Sequence, residues 1–188
     1  QTVVRAVAAR NGLCADFSPK PLPDRPGNGM HINISAKSAT GEEILPFVMA
    51  GILKYAGEMT AFLNISEESY RRFGADKAPR YISWSSENRS QLIRIPAAAG
   101  ESRRAELRSA DPTANPYIAY ALLIYAGMYG LEHDLQLCPA SDFNVYAAPR
   151  YSSRHSPESF MSMEISLPTY RKCHGSLVMP VISAFSSV

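Results

Sequence analysis

The segment from Asn115 to Leu131 constrains the fold most. Asn115-Pro116 opens it, and proline is tolerated at a first helical position because no backbone N–H is needed there. Beyond the proline, alanine, leucine, isoleucine and tyrosine occupy nearly every side. A helix apolar all round has to be covered on more than one side, which predicts a buried helix in a layered domain. At about 16 residues it is short of the roughly 20 a membrane span needs. No other apolar run in the 188 residues reaches that length either. Hydrophobic residues at 46% and charged residues at 19% are those of an ordinary globular protein.

The remaining elements do not alternate regularly. Residues 2–10 read as a helix stopped by Asn11-Gly12. Residues 13–17 suggest a short strand, and Pro19 to Gly29, with four prolines and two glycines, is a loop. Residues 30–35 alternate as a strand does. Residues 42–63 form a long helix with Ile44, Val48, Ile52, Tyr55 and Met59 on one stripe. Ser66 can cap a short helix that carries Glu67 and Glu68 in its first turn. Residues 81–86 and 91–96 read as strands joined by a tight Glu87-Asn88 turn, and 105–109 as another strand. This order predicts an α+β fold with a mainly antiparallel sheet flanked by helices. Residues 150–188 differ, with ten serines and no clear period. They read as a separate, loosely structured tail, either a divergent terminus or the product of a shifted reading frame. Residues 1–149 make up the domain proper.

Charge is unevenly distributed. The net charge is only +2, yet from Arg71 to Arg108 eight arginines and one lysine face four acids, a local +5. Fourteen arginines against five lysines favour fork-like recognition of phosphate or carboxylate. Cys14, Cys138 and Cys173 are far apart and odd in number, which fits neither a disulfide framework nor a zinc site and favours a reducing cytoplasm.

Three stretches concentrate chemistry. In Gly27-Asn-Gly-Met-His31-Ile-Asn33-Ile-Ser35 the glycines permit close backbone approach, and the strand period puts His31, Asn33 and Ser35 on one face. Such a set suits a metal and a phosphate-bearing ligand; an ordinary strand with a satisfied histidine has the same pattern. In Arg104-Ala-Glu106-Leu-Arg108 three charges share a face opposite Ala105 and Leu107. A glutamate between two arginines stays ionised, as a Mg²⁺ or Mn²⁺ ligand must. A surface ion-pair ladder would look alike. Arg94, amid apolar strand neighbours, needs an anion, whether a ligand or a structural carboxylate.

Taken in order, these segments resemble the catalytic domain of glutamine synthetases. The likeness rests on Lys20-Pro-Leu ahead of the glycine turn, GNGMH ending at His31, SYRRF from Ser69 to Phe73 and the Ala78-Pro79 pair. It continues through SWSSENRSQLIRIP from Ser83 to Pro96, SRRAELRSADPTANPYIAYALL from Ser102 to Leu123, and Tyr125 to Gly130. It covers roughly residues 2–148, the C-terminal part of that domain.

The resemblance implies an ATP-dependent ligase that joins glutamate and ammonia through γ-glutamyl phosphate, with Mg²⁺ or Mn²⁺ neutralising the phosphates. It assigns His31 and Glu106 to the metal, and Asn33 and Ser35 to the nucleotide. Arg89 and Arg94 would lie at the phosphates, and Gly27, Arg72 and Arg108 at the glutamate substrate. Asp76 takes the place of a flap glutamate that helps deprotonate ammonium. The family's homo-oligomeric ring is implied for the full-length form, with no nucleic-acid or membrane partner. The arginines coincide with the synthetase motifs and lack the interleaved aromatics of a base-stacking surface.

The chain departs from the family pattern at four places. Asn33 stands where a second histidine is common, Pro26 where an asparagine helps bind substrate, Glu101 where a lysine is common, and Gly74-Ala-Asp76-Lys77 where the flap is longer. A γ-glutamyl ligase for another amine and a non-catalytic family member therefore remain as alternatives. The family's other metal-binding glutamates are absent, so a piece of this length is expected to be inactive alone.

Overall fold

The computed structural model describes residues 1–74, 77–96 and 103–141. The elements run α1 (Thr2–Arg10), β1 (Ile32–Ile34), α2 (Leu45–Leu63), α3 (Glu67–Tyr70), β2 (Trp84–Ser86), β3 (Ile93–Ile95), β4 (Ala105–Leu107) and α4 (Pro116–Glu132). The expected tail, 150–188, lies outside the described residues.

Local chemistry sets most element ends. α1 stops as its sequence predicts: Gly12, at φ +70°, lets its own N–H and that of Leu13 reach back to Ala9 and Ala8. Ser66 and Ser69 form a reciprocal capping box on α3. The Asn115 side chain accepts hydrogen bonds from the N–H groups of Tyr117 and Ile118 at the start of α4. α2 begins at Leu45, three residues later than the expected start at residue 42. Lys37 and Glu43 form a β-bridge instead, Gly41 turns at φ +86°, and Glu43 accepts from the Leu45 N–H. Residues 13–17 form no strand; they run as irregular chain beside the proline loop.

The α+β class holds, and the four-stranded sheet has the order β1-β4-β3-β2. It is mixed rather than mainly antiparallel. β1 with β4 and β4 with β3 are antiparallel, whereas β2 and β3 run parallel. The tight hairpin expected at Glu87-Asn88 is therefore not formed. Glu87 adopts φ +77°, Asn88 accepts from the Ser90 N–H and hydroxyl, and residues 87–92 carry the chain back so that β3 starts level with β2. Parallel strands normally need a connection of a dozen residues or more, so this one is unusually short.

A single core collects Ile32, Ile93, Ile95, Ala105 and Leu107 from the sheet, Leu45, Met49, Ile52, Ala56, Met59 and Leu63 from α2, and Ala119, Leu123 and Ala126 from α4. Glycines set the helix pairing. A Cβ on Gly51 would lie 1.9 Å from the Ala126 carbonyl oxygen, and one on Gly130 would lie 2.1 Å from that of Phe47. Backbone cannot give way as a flexible side chain would, so both positions admit glycine alone.

α4 is only half buried among the described residues, contrary to the expectation from its sequence. Ala119, Leu123, Ala126, Gly127 and Gly130 face inward. Tyr117 is 83% exposed and Ile124 65%, with Tyr120, Tyr125 and Met128 also outward. One packed face is all that α2 can supply. No helix is long and apolar enough to cross a membrane among these residues.

Gly51→Ala and Gly130→Ala should each lower stability by about 1–3 kcal/mol, the range of overpacking a tight core. Urea unfolding of each variant checks this; a midpoint equal to that of the parent would refute the close approach.

Candidate functional site

The sheet presents one face to the core and the other to a charged cluster. Strand register decides the membership of that cluster. Asn33 lies opposite Glu106, Glu106 opposite Arg94, and Arg94 level with Ser85, so one row crosses all four strands. The alternate row, Ile32, Leu107 and Ile93, is buried. The period of two thus separates the charges from the apolar residues, as expected for both β1 and β4.

Glu106 is the centre of the cluster. Its Oε1 lies 2.9 Å from His31 Nδ1, and its Oε2 accepts from Arg94 Nη1 at 3.1 Å and from Arg108 Nη1 at 3.0 Å. Burial alone would raise the carboxyl's pKa. Hydrogen bonds from Arg108 and Arg94, and the charges of Arg108 and His31, outweigh burial and hold it below the usual glutamate value. His31 is also held below its ordinary value. Burial and the Arg108 charge lower it, against the opposing pull of Glu106. A neutral imidazole beside an ionised carboxylate is the state in which both can ligate a cation.

The donor set can be tested against a divalent cation. Two ligand atoms 2.9 Å apart match adjacent corners of an octahedron with bonds of about 2.1 Å. His31 and Glu106 therefore fit as two ligands of Mg²⁺ or Mn²⁺. No group of three or more His, Cys, Asp or Glu capable of holding a metal occurs among the described residues. This chain's described part thus supplies one corner of such a site.

The other expected residues divide. Arg94 and Arg108 join Glu106, and Arg108 also donates to the Lys77 carbonyl. Asn33 and Ser35 lie exposed on the same side as His31, and Asn33 accepts from Arg104 Nε at 3.1 Å. Arg89 lies exposed on the 87–92 connection, outside the contacts around Glu106. Asp76 falls outside the described residues, as does Glu101.

Arg72 is placed differently from a surface arginine. It is 3% exposed, and its Nη1 lies 3.2 Å from Asp111 Oδ2. It also reaches Asn64 Oδ1 and the carbonyls of Ser109 and Ala110, each at 3.4 Å. Burial pulls its pKa down while Asp111 opposes that shift. Gly27 packs on its stem: a Cβ there would lie 2.3 Å from the Pro19 carbonyl and 2.7 Å from Arg72 Cγ. The residues that motif reading overlooked are Asp111 and Asn64. The available signal was Asp111-Pro-Thr, a turn whose acid has no cationic neighbour in sequence and must find one in space.

Comparison with known proteins identifies the family. The family model described as glutamine synthetase, catalytic domain, matches residues 1–174. The chain belongs to the glutamine synthetase family. It is 42% identical over 155 residues to a glutamine synthetase of Pyrococcus abyssi, covering 77% of this chain and 35% of that protein. It is 42% identical over 160 residues to that of Halobacterium salinarum, covering 78% and 35%. It is 39% identical over 158 residues to that of Clostridium saccharobutylicum, covering 77% and 36%. The chain thus spans about a third of the length of these relatives. A solved structure titled "GmaS/ADP complex-Conformation 1" superposes with a TM-score of 0.73 at 28% identity, covering 92% of this chain and 42% of that one.

Both His31 and Glu106 have folded pKa values below their unfolded ones, so the folded state binds fewer protons. Their contribution is therefore complete above about pH 6.5 and is lost as pH falls through the lowered values. Glu106→Gln should lower the melting temperature at pH 7 and shrink the difference between pH 7 and pH 4. Thermal unfolding at the two pH values reads this, and an unchanged difference would contradict it.

Proposed function

We propose that this chain is part of an ATP-dependent glutamate–ammonia ligase that forms glutamine through γ-glutamyl phosphate. The observation that carries the reading is the convergence on Glu106 of an imidazole from the glycine turn and guanidinium groups from β3 and the end of β4. A surface ion-pair ladder does not explain it. Arg108 is 4% exposed, and its Nε is buried without a hydrogen bond among the described residues. A buried cationic donor left open is poised for an anion.

In this reading His31 and Glu106 hold Mg²⁺ or Mn²⁺, which when bound neutralises phosphate charge. Arg94 and Arg89 face the phosphates of ATP, and Asn33 and Ser35 contact the nucleotide. A neighbour whose title names an ADP complex supports a nucleotide here. Gly27, Arg72 and Arg108 serve the glutamate end, Arg108 by its open donor and Arg72 by its buried charge. Arg94 and Arg108 also keep Glu106 ionised, and so fix the charge the metal meets. Asp76 is the group assigned to take the proton from ammonium. The full-length form is a cytoplasmic homo-oligomeric ring, and the family model runs into the serine-rich tail as far as residue 174.

Full-length protein should release phosphate from ATP only with glutamate and ammonia present, and the 188-residue chain alone should not. Preference for a polyamine or another amine over ammonia would reassign the acceptor. His31→Ala and Glu106→Ala should each weaken Mn²⁺ binding at least tenfold, read by Mn²⁺ electron paramagnetic resonance.

A further inference from the structure

A cavity of about 290 Å³ opens between α2, the residues leading into β2 and the segment that follows α4. Ala50, Leu53, Ile82, Leu135 and Cys138 supply its apolar walls. Lys54 and Gln136 are its polar members. His31, Arg94, Glu106 and Arg108 are not among the lining residues, so the cavity is separate from the charged face of the sheet. An apolar cavity of about 150 Å³ already holds a benzene ring. Nearly twice that volume takes a ring with a short side chain. Apolar walls hold water poorly, so an apolar group that displaces it is favoured.

The walls are held in place. Ala50 and Leu53, each 7% exposed, belong to the buried face of α2. The wall after α4 is tied at three points. The Leu135 N–H donates to the Gly130 carbonyl at 2.9 Å, the Trp84 indole N–H to the Cys138 carbonyl at 2.6 Å, and the Ser141 N–H to the Trp84 carbonyl at 2.8 Å. A cavity whose walls are fixed before binding costs little ordering entropy when it fills.

Lys54 gives the cavity a chemical preference. It is exposed, and its Nζ donates to the Tyr129 hydroxyl at 3.3 Å and stands 4.7 Å from the centre of that ring. Tyr129 is itself braced, edge-on to Tyr55 at 5.1 Å and stacked on His133 at 3.8 Å. The ammonium is thereby restrained at the mouth of the cavity. An ammonium has three N–H donors, and one of them goes to Tyr129. No carboxylate pairs with Lys54 among the described residues.

We propose that this cavity binds a small carboxylate with an aromatic or branched apolar body. The body fills the space between Leu53, Ile82, Leu135 and Cys138, and the carboxylate meets Lys54 at the mouth. Walls and charge select the class together. A cation at the mouth favours an anion, and the walls offer the rest of the ligand only van der Waals contact. The site stands independently of the ligase reading, since it uses none of the residues assigned to ATP, glutamate or metal.

The test titrates the 188-residue chain with 3-phenylpropionate and, separately, with its neutral amide, 3-phenylpropanamide. The methyl NMR signals of Leu53, Ile82 and Leu135 report on the cavity. The expected result is saturable shifts of these methyls, with a Kd of about 1 mM or tighter for the carboxylate. The amide should bind about tenfold more weakly, the loss of one charged partner. Lys54→Met keeps most of the stem and removes the charge, so it should bring both probes to the affinity of the amide. Lys54 is exposed, so this variant keeps the fold. Ala50→Leu fills the space from within and should abolish both titrations, with a melting temperature at or above that of the parent. If the added side chain crowds α2 and unfolds the chain, Lys54→Met decides alone. Absence of saturable shifts in the parent, equal affinities for the two probes, or an unchanged preference in Lys54→Met would each overturn the site. So would an occupant already in place. Nuclear Overhauser contacts from residues 142–188 to Leu53 and Ile82 would give the cavity to that segment, and shifts of the same methyls with protein concentration alone would give it to a second copy.

Discussion

The charged face of the sheet depends on one carboxylate. Glu106 accepts from two arginines on one oxygen and meets His31 on the other. Three otherwise independent segments, the glycine turn, β3 and the end of β4, are drawn to one point. Two unpaired guanidiniums this close would repel each other, and their partial burial would cost desolvation with no return. The ionised carboxylate makes their proximity tolerable. It also sets the electrostatics of any ligand that binds there, since an anion meets arginines already fixed and a cation meets an acid that does not need to lose a proton.

Below this face the fold is held by a core of large apolar side chains and by close contact between α2 and α4. Gly51 and Gly130 let the backbones of α2 and α4 touch, and the apolar residues around them complete the core. Rigidity passes from there to the site by way of Arg72. Its partners are the end of α2 at Asn64, the Ser109–Asp111 segment after β4 and the stem contact with Gly27. A buried ion pair contributes little net stability, but it specifies position strongly, because either partner alone would be an uncompensated buried charge. In this chain that specificity is spent on the turn that carries His31.

Much of this was legible in the sequence. The alternation of Arg104, Glu106 and Arg108 against Ala105 and Leu107 fixed which side chains leave the core, because a strand allows only two faces. The caps at Ser66 and Asn115 and the stop at Gly12 followed from side-chain and backbone chemistry within a few residues. Less legible were features that depend on distant partners. The parallel pairing of β2 and β3 arises from a left-handed Glu87, an uncommon conformation for that residue which no local pattern announces. The exposure of half of α4 reflects which neighbours cover it, and composition reports only that an apolar surface exists.

The sequence by itself determined the membership of the family, the types of side chain at the site and the faces they occupy, since motif and period are properties of neighbours along the chain. Only the tertiary structure decided that Asn33, Glu106 and Arg94 stand in one row, that Arg72 is buried against Asp111, and that Gly27 packs on the Arg72 stem. Those facts depend on strand register and on contacts between residues up to 75 positions apart, as for His31 and Glu106. A pairing across such a separation is settled by which packing leaves no buried charge uncompensated, and that condition exists only once the chain has closed on itself.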